Sequence, residues 1–175
     1  GLVSQAISDQ LPRLIAQGGH LVIASRSTRA QSVITSAIAL ETLGQHRVVM
    51  IGASHHLGNR AGWLSLEGND SSLKSVERLS PDAVIIRDQS ALDGTILFET
   101  LSASSRAILM ITARDIHGAI AKVRRRSGND DLALEAVDLI VFVDENNGQP
   151  TISDIYSLTQ GAQVYSQGNL SGDLV

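Results

Sequence analysis

The stretch His20-Leu-Val-Ile-Ala-Ser-Arg-Ser-Thr-Arg-Ala-Gln-Ser32 decides the fold of this chain. Its apolar run from Leu21 to Ala24 predicts a buried strand that leads directly into a short polar turn. Beyond the turn, apolar residues recur at helical spacing and predict an amphipathic helix; they are Val33, Ile34, Ala37, Ile38 and Leu40. A strand, a polar turn and a helix in this order form the frame of a phosphate-binding P-loop.

The residues that bind phosphate are missing from this frame. A P-loop reads G-x-x-x-x-G-K-[ST], because its glycines let backbone N–H groups close around phosphates and its lysine neutralises their charge. Ser25 and Ala30 stand at the glycine positions and Gln31 at the lysine position, while Ser32 keeps a hydroxyl of the kind that contacts Mg²⁺. The backbone N–H groups at the helix start still favour an anion, and Arg26 lies close by.

Two interpretations of this turn stay open. It is either a weakened nucleotide or anion site, or an ordinary polar turn in which Ser27 or Thr28 caps the helix. On the first interpretation, the vestigial nucleotide-binding residues are Ser25, Ser27, Thr28, Arg29, Ala30, Gln31 and Ser32, with Arg26 and Arg114 as anion contacts.

Composition excludes several classes of protein. The 175 residues include 14 basic and 18 acidic side chains, and the net charge of −4 argues against a dedicated nucleic-acid binder. There is no cysteine, so the chain forms neither disulfides nor thiolate metal sites. No apolar run is long enough to span a bilayer. The chain begins with Gly1 rather than Met, and we expect either a fragment of a longer protein that lacks an N-terminal domain or a processed chain.

The rest of the chain alternates between helices and buried strands. The patterns predict helices over 2–17 (interrupted or restarted at Pro12), 71–79 (capped by Ser71 or Ser72), 92–101 and 115–126, strands over 47–51, 82–88, 107–112 and 139–143, and a loop over 52–70. Residues 149–158 and 162–167 alternate between polar and apolar and predict an antiparallel hairpin. The order of elements therefore predicts one α/β domain over residues 1–175, with a mostly parallel sheet flanked by helices.

Two further segments carry a family resemblance. Residues 73–88 are similar to a helix followed by Pro-Asp and an apolar Walker B strand, and residues 107–125 are similar to the strand, turn and helix of a histidine box. Together with the P-loop frame, they resemble the nucleotide-binding domain of the secretion ATPase superfamily, the motors of type II and type IV secretion, conjugation, type IV pili and tight-adherence pili. The resemblance covers residues 10–168 and implies a RecA-like P-loop NTPase fold.

Every catalytic motif of that family departs from its pattern here. Besides Gln31 in Walker A, the acidic pair of the aspartate box falls on Gly52 and Ala53. In Walker B, Asp88 stands for the catalytic glutamate and Arg87 for the glycine before it. In the histidine box, Thr112 is kept and Arg114 replaces the histidine. Because phosphoryl transfer depends on positioned charges, we expect a pseudo-ATPase with no useful turnover.

The resemblance then implies a role and partners. The first hypothesis is a structural or regulatory subunit of a bacterial secretion, pilus or conjugation machine, cytoplasmic or held at the inner face of the membrane by its partners. Those partners would be paralogous motor subunits, further copies of the chain in a ring, or other proteins of the machine. Alternatives are a weak ATPase completed by a partner, with ATP and Mg²⁺ as cofactors, and an anion-binding or small-molecule-binding α/β module unrelated to secretion.

Four other features each have two interpretations. Asp88 is a surviving general base, or a carboxylate at a strand end that pairs with Arg87. His55 and His56 begin a metal site, or are loop residues without a ligand, which we favour. The arginines at 124–126 contact an acidic partner, or form a solvated helix end. Trp63 anchors a lid or an interface, or packs into the core.

Overall fold

One sheet with helices on both faces contains most of the residues that the computed structural model describes, namely 5–53, 60–166 and 169–170. The helices are α1 Gln5–Ala16, α2 Thr28–Leu43, α3 Asp70–Leu79, α4 Gly94–Ser102, α5 Ile116–Ser127 and α6 Asp130–Ala136. The strands are β1 His20–Ser25, β2 Val48–Ile51, β3 Trp63–Leu66, β4 Ala83–Arg87, β5 Ala107–Thr112, β6 Leu139–Asn146, β7 Gln149–Ser157, β8 Ala162–Ser166 and β9 Asn169–Leu170. The candidate metal residues His55 and His56 lie outside the described residues.

The strands lie in the order β3-β2-β4-β5-β1-β6-β7-β8-β9. Every pair from β3 to β6 is parallel, and every pair from β6 to β9 is antiparallel. The inner parallel strands β1, β2, β4 and β5 read as continuous apolar runs because both of their faces are covered. The predicted α/β fold with a mostly parallel sheet and a C-terminal antiparallel hairpin is therefore confirmed.

Two hydrophobic cores fill the space between the sheet and its helices. Successive residues of a strand point to opposite faces, so Leu21 and Ile23 of β1 join one core while Val22 and Ala24 join the other. Helices α1 and α2 cover the first core, and α3, α4, α5 and α6 cover the second. Since α2 follows β1 and α5 follows β5, these adjacent strands send their next helices to opposite faces.

The structure corrects three of the sequence predictions. The predicted loop over 52–70 contains β3, whose Trp63 is buried in the first core at 9% exposure. Strand β3 has only four residues and is half exposed at the sheet edge, so its sequence lacks the apolar run by which a buried strand is predicted. Asn69, rather than Ser71 or Ser72, caps α3 by accepting a hydrogen bond from the Ser72 amide. Helix α1 continues through Pro12, because Leu11, Leu14 and Ile15 around it are all buried in the core.

Helix α6 was not predicted. It has seven residues, begins after the Asn129 cap and buries only Ala133 and Ala136 against the core. An isolated helix of this length is unstable in water, so packing against the rest of the domain stabilises it.

Candidate functional site

The candidate site is the crevice between the carboxyl ends of β1 and β5. In the strand order, β2 lies on one flank of the β5/β1 pair and β6 lies on the other. The chain therefore runs in opposite directions along the sheet after β1 and after β5. This divergence makes a topological switch point, where open α/β sheets bind their ligands. The turn with Arg26 and Ser27 lies on one side of the crevice and the turn with Arg114 on the other.

The turn between β1 and α2 is shorter than a P-loop. Only Arg26 and Ser27 separate the strand from the helix, and Thr28, Arg29 and Ala30 already belong to α2. Of the two predicted caps, Ser27 and Thr28, the structure shows Ser27: its side chain accepts a hydrogen bond from the Ala30 amide, and its carbonyl accepts one from the Gln31 amide. The Ser27 amide in turn donates to the Ser25 hydroxyl at 3.0 Å. Several amides that surround phosphate in a P-loop are thus engaged within the turn.

Gln31 points into the protein. It is only 2% exposed, and its Nε2 donates hydrogen bonds to the carbonyl oxygens of Ile23 in β1 at 2.6 Å and Ile111 in β5 at 2.7 Å. The side chain therefore joins the two strands beneath the crevice. The Ser32 hydroxyl also turns inward along its own helix and donates to the Thr28 carbonyl at 2.8 Å.

Arginines surround the mouth of the crevice. Nε of Arg26 donates to the carbonyl oxygen of Arg114, which connects the two turns across the opening. An Arg87 nitrogen lies 3.5 Å from the Thr28 hydroxyl at the start of α2. Arg29 points away from the crevice and binds Glu145 at 3.1 Å and the Gly148 carbonyl at 3.2 Å. Neither Arg26 nor Arg114 forms an ion pair with a residue that the structure describes.

Asp88, at the end of β4, is held by two cations from α5. Its side chain is 4% exposed and lies 2.8 Å from Arg126 and 3.0 Å from Lys122. Arg126 also donates to the Leu92 carbonyl at 2.7 Å, so it fixes the loop that follows β4. Of the two interpretations of the arginines at 124–126, the solvated helix end describes Arg124 and Arg125, which are exposed, but not Arg126.

The sequence analysis did not assign Lys122 and Arg126 to this site. They lie four residues apart on one face of α5, a spacing that could have suggested a shared partner.

The sequence analysis also missed Gln89. Its side chain fills the space between Gly52, which follows β2, and Gly68, which follows β3. A Cβ on Gly52 would lie 2.5 Å from the Gln89 amide nitrogen, and one on Gly68 would lie 2.7 Å from the same amide. Among the described residues, no group of histidine, cysteine, aspartate or glutamate side chains could hold a metal ion.

Gly94, the first residue of α4, packs against the end of α5. A Cβ at this position would overlap the carbonyl oxygen of Arg126, which belongs to the backbone and has no room to yield. We therefore expect Gly94→Ala to lower the free energy of unfolding by about 3 kcal/mol, at the upper end of overpacking effects. Urea denaturation followed by circular dichroism measures the loss.

Gly118→Ala is the matched control, because Gly118 also lies in the first turn of a helix. Its Cβ would approach only the Asp115 carboxylate, at 3.3 Å. Alanine favours a helix over glycine by about 1 kcal/mol, so this variant should be unchanged or slightly more stable. Equal stability of the two variants would show that α4 and α5 do not touch as described.

Comparison with known proteins finds the fold of this chain among solved structures only. The sequence matches no protein-family model and no curated protein. Solved structures do match. The VirB11 ATPase of the Brucella suis type IV secretion system, in complex with sulphate, is 13% identical, with a TM-score of 0.68 over 84% of this chain and 50% of that chain. The Legionella pneumophila ATPase DotB is 11% identical, with a TM-score of 0.63 over 91% of this chain and 53% of that chain.

The pilus retraction motor PilT with bound ADP is 10% identical, with a TM-score of 0.58 over 83% of this chain and 49% of that chain. The chain has the fold of the secretion and pilus motor ATPases. It spans about half the length of these proteins. The resemblance stated from the sequence motifs is confirmed at the level of the fold.

Proposed function

We propose that this chain is a catalytically inactive domain of the secretion ATPase fold that acts as a structural or regulatory subunit of a bacterial secretion, pilus or conjugation machine. The observation that carries the proposal is the position of Gln31. A P-loop lysine must reach the β- and γ-phosphates, whereas Gln31 is buried and bonded to Ile23 and Ile111. Its substitution by lysine would not by itself create a cation in the crevice.

Asp88 supports the same proposal. A general base must be free to accept a proton from the attacking water, at hydrogen-bond distance from it. Asp88 is instead nearly inaccessible and neutralised by Lys122 and Arg126. We infer a structural role in which Asp88 holds the loop after β4 against α5.

The partners proposed are paralogous motor subunits, further copies of this chain in a ring, and other proteins of the machine. Support comes from the fold shared with a type IV secretion ATPase and a pilus retraction motor. No helix in the described ranges is long and apolar enough to cross a membrane. The proposed location is the cytoplasm, at the inner face of the membrane, where these partners would hold the chain.

A second candidate is an ATP-binding domain completed by a partner. The arginines at the crevice mouth favour it, since Arg26 and Arg114 are exposed cations at a topological switch point. The sulphate in the VirB11 structure and the ADP in the PilT structure show that proteins of this fold bind anions. ATP and Mg²⁺ would then be bound by arginine side chains in place of a lysine.

Titration calorimetry with Mg²⁺ and ATP distinguishes the two candidates. We expect no binding by the natural chain and none by Gln31→Lys, because the shortened turn lacks the amide cradle in both. Micromolar binding by the natural chain would overturn the first candidate. If that binding is lost in Arg26→Gln/Arg114→Gln, and turnover begins on mixing with a motor ATPase, the second candidate holds.

A further inference from the structure

Strand β3 lies at one edge of the sheet, and among the described strands only β2 pairs with it. The Val48 amide of β2 donates to the Gly62 carbonyl at 3.1 Å, and the Gly52 amide donates to the Leu66 carbonyl at 3.0 Å. The carbonyls of even-numbered residues therefore point toward β2. In a trans peptide the N–H points away from the preceding carbonyl, so the amides of the odd-numbered residues face the open edge.

Several backbone groups along this edge have no neighbouring strand. The Trp63 amide turns back to the Arg60 carbonyl, and the Glu67 carbonyl accepts a hydrogen bond from the Asn69 amide, so these groups are engaged locally. The amide and carbonyl of Ser65, the Trp63 carbonyl and the Glu67 amide remain at the edge. Such a row of donors and acceptors is a template for another strand.

Strand β3 lacks the features by which edge strands usually prevent pairing. It contains no proline and no charged side chain between Trp63 and Leu66. Its Leu64 is 44% exposed, whereas Leu66 is half-buried and packs against the second core. A strand added at this edge would cover Leu64 and bond to the open backbone groups at the same time.

Charges of opposite sign lie at the two ends of β3. Arg60 stands over the ring of Trp63, 5.8 Å from its centroid, and Glu67 directly follows the last residue of the strand. Both charged side chains are exposed, and neither forms an ion pair with a residue in the described part of the chain. A two-fold axis reverses the direction of the second strand, so the basic end of one copy meets the acidic end of the other. Strand β3 is therefore complementary in charge to a second copy of itself.

We propose that β3 pairs antiparallel with β3 of a second copy of this chain, so that the two sheets join at this edge. The register that uses the open groups places Ser65 opposite Ser65 of the second copy, and these two residues exchange their amide and carbonyl bonds. The Glu67 amide of each chain then donates to the Trp63 carbonyl of the other.

The same register brings the side chains into complementary pairs. Glu67 lies opposite Trp63 of the second copy, next to the Arg60 that stands over that ring. On the other face of the sheet, the exposed Leu64 lies opposite Leu66 of the second copy. Each chain thus gains an ion pair and an apolar contact from one strand pairing.

This contact is distinct from the assembly considered under the proposed function. An isologous two-fold contact closes on itself and gives a dimer, whereas a ring needs two different surfaces on each subunit. Strand β3 has four residues, so the contact is small and dimerisation depends on protein concentration. Strands β2 and β4 separate β3 from the β5/β1 pair, so the crevice takes no part in it.

Sedimentation velocity of the intact chain, run over a series of protein concentrations, tests the pairing. We expect the natural chain to shift from monomer to dimer as the concentration rises. Leu64→Lys should weaken dimerisation about tenfold or more, because a lysine on an edge strand opposes the approach of a second strand. Leu40→Lys is the matched control: Leu40 is a 39% exposed leucine on α2, and this variant should dimerise as the natural chain does.

An exchange of charges completes the test. Arg60→Glu and Glu67→Arg each bring like charges together, so each variant alone should dimerise more weakly than the natural chain. An equimolar mixture of the two should form heterodimers, because every end of one variant meets the opposite charge on the other, and misfolding could not produce this gain.

Three results would each overturn the proposal: a natural chain that stays monomeric at every concentration, equal dimerisation of Leu64→Lys and Leu40→Lys, or a mixture that gains nothing over the separate charge variants. None of these results involves ATP. They are therefore separable from a failure of the proposed function, which titration calorimetry with ATP tests.

Discussion

Asp88→Ala is expected to lower the free energy of unfolding by about 3 kcal/mol, the lower end of the effect of removing one partner from a buried ion pair. The carboxylate is 4% exposed and forms ion pairs with both Arg126 and Lys122, whose side chains are 23% and 24% exposed. Without Asp88, both cations stay partly buried and repel each other. Their partial exposure to water keeps the loss at the lower end of the range.

Urea denaturation of Asp88→Ala beside Glu145→Ala tests this expectation. Glu145 also pairs with an arginine, but that arginine, Arg29, is 71% exposed, so the control should lose about 1 kcal/mol or less. A double-mutant cycle between Asp88 and Arg126 should give a coupling of about 2 kcal/mol. A loss no larger than that of Glu145→Ala would mean that Asp88 is free, and the general-base interpretation would return.

Gln31→Met is expected to destabilise the domain by about 2–4 kcal/mol. The substitution removes the Gln31 amide group, which donates a hydrogen bond to each of two buried carbonyls. Methionine keeps the length and volume of glutamine, so little of this loss would come from a cavity. The carbonyls of Ile23 and Ile111 belong to adjacent strands, and the loss should loosen the carboxyl ends of β1 and β5. Hydrogen exchange at these strand ends would report that loosening directly.

Gln45→Met is the control for this substitution. Gln45 is exposed between α2 and β2, where such changes usually alter stability by no more than about 0.5 kcal/mol. If Gln31→Met is as stable as Gln45→Met, the Gln31 side chain does not bridge the strands. It would then be available to the crevice, and the interpretation of a weakened anion site would gain support.

Most of the fold was predictable because its signals are local. The apolar runs of β1, β4 and β5 are buried on both faces, and such runs are typical of a parallel sheet. The Asp115 cap and the basic last turn of α5 predicted where that helix begins and ends. The elements that escaped prediction, β3, α6 and the two-residue β9, are short. Elements of this length depend on packing or pairing with their neighbours.

The candidate site was predictable in its position but not in its contacts. The frame from His20 to Ser32 and the motif positions Asp88 and Arg114 located the crevice, since carboxyl ends of parallel strands meet at one edge. The partners of Asp88 come from α5, more than thirty residues away in the chain. The spacing of residues within one helix or strand cannot predict a contact between side chains of two distant segments.

The sequence by itself determined the alternation of buried strands and amphipathic helices, the strand–turn–helix frame and the loss of the P-loop lysine and glycines. These properties follow from residue type and period, which act over a few residues. Only the tertiary structure decided where the polar side chains point. It turned Gln31 inward to two strand carbonyls and enclosed Asp88 between two cations. Burial requires each polar group to find a partner, and packing of distant segments determines which partners are within reach.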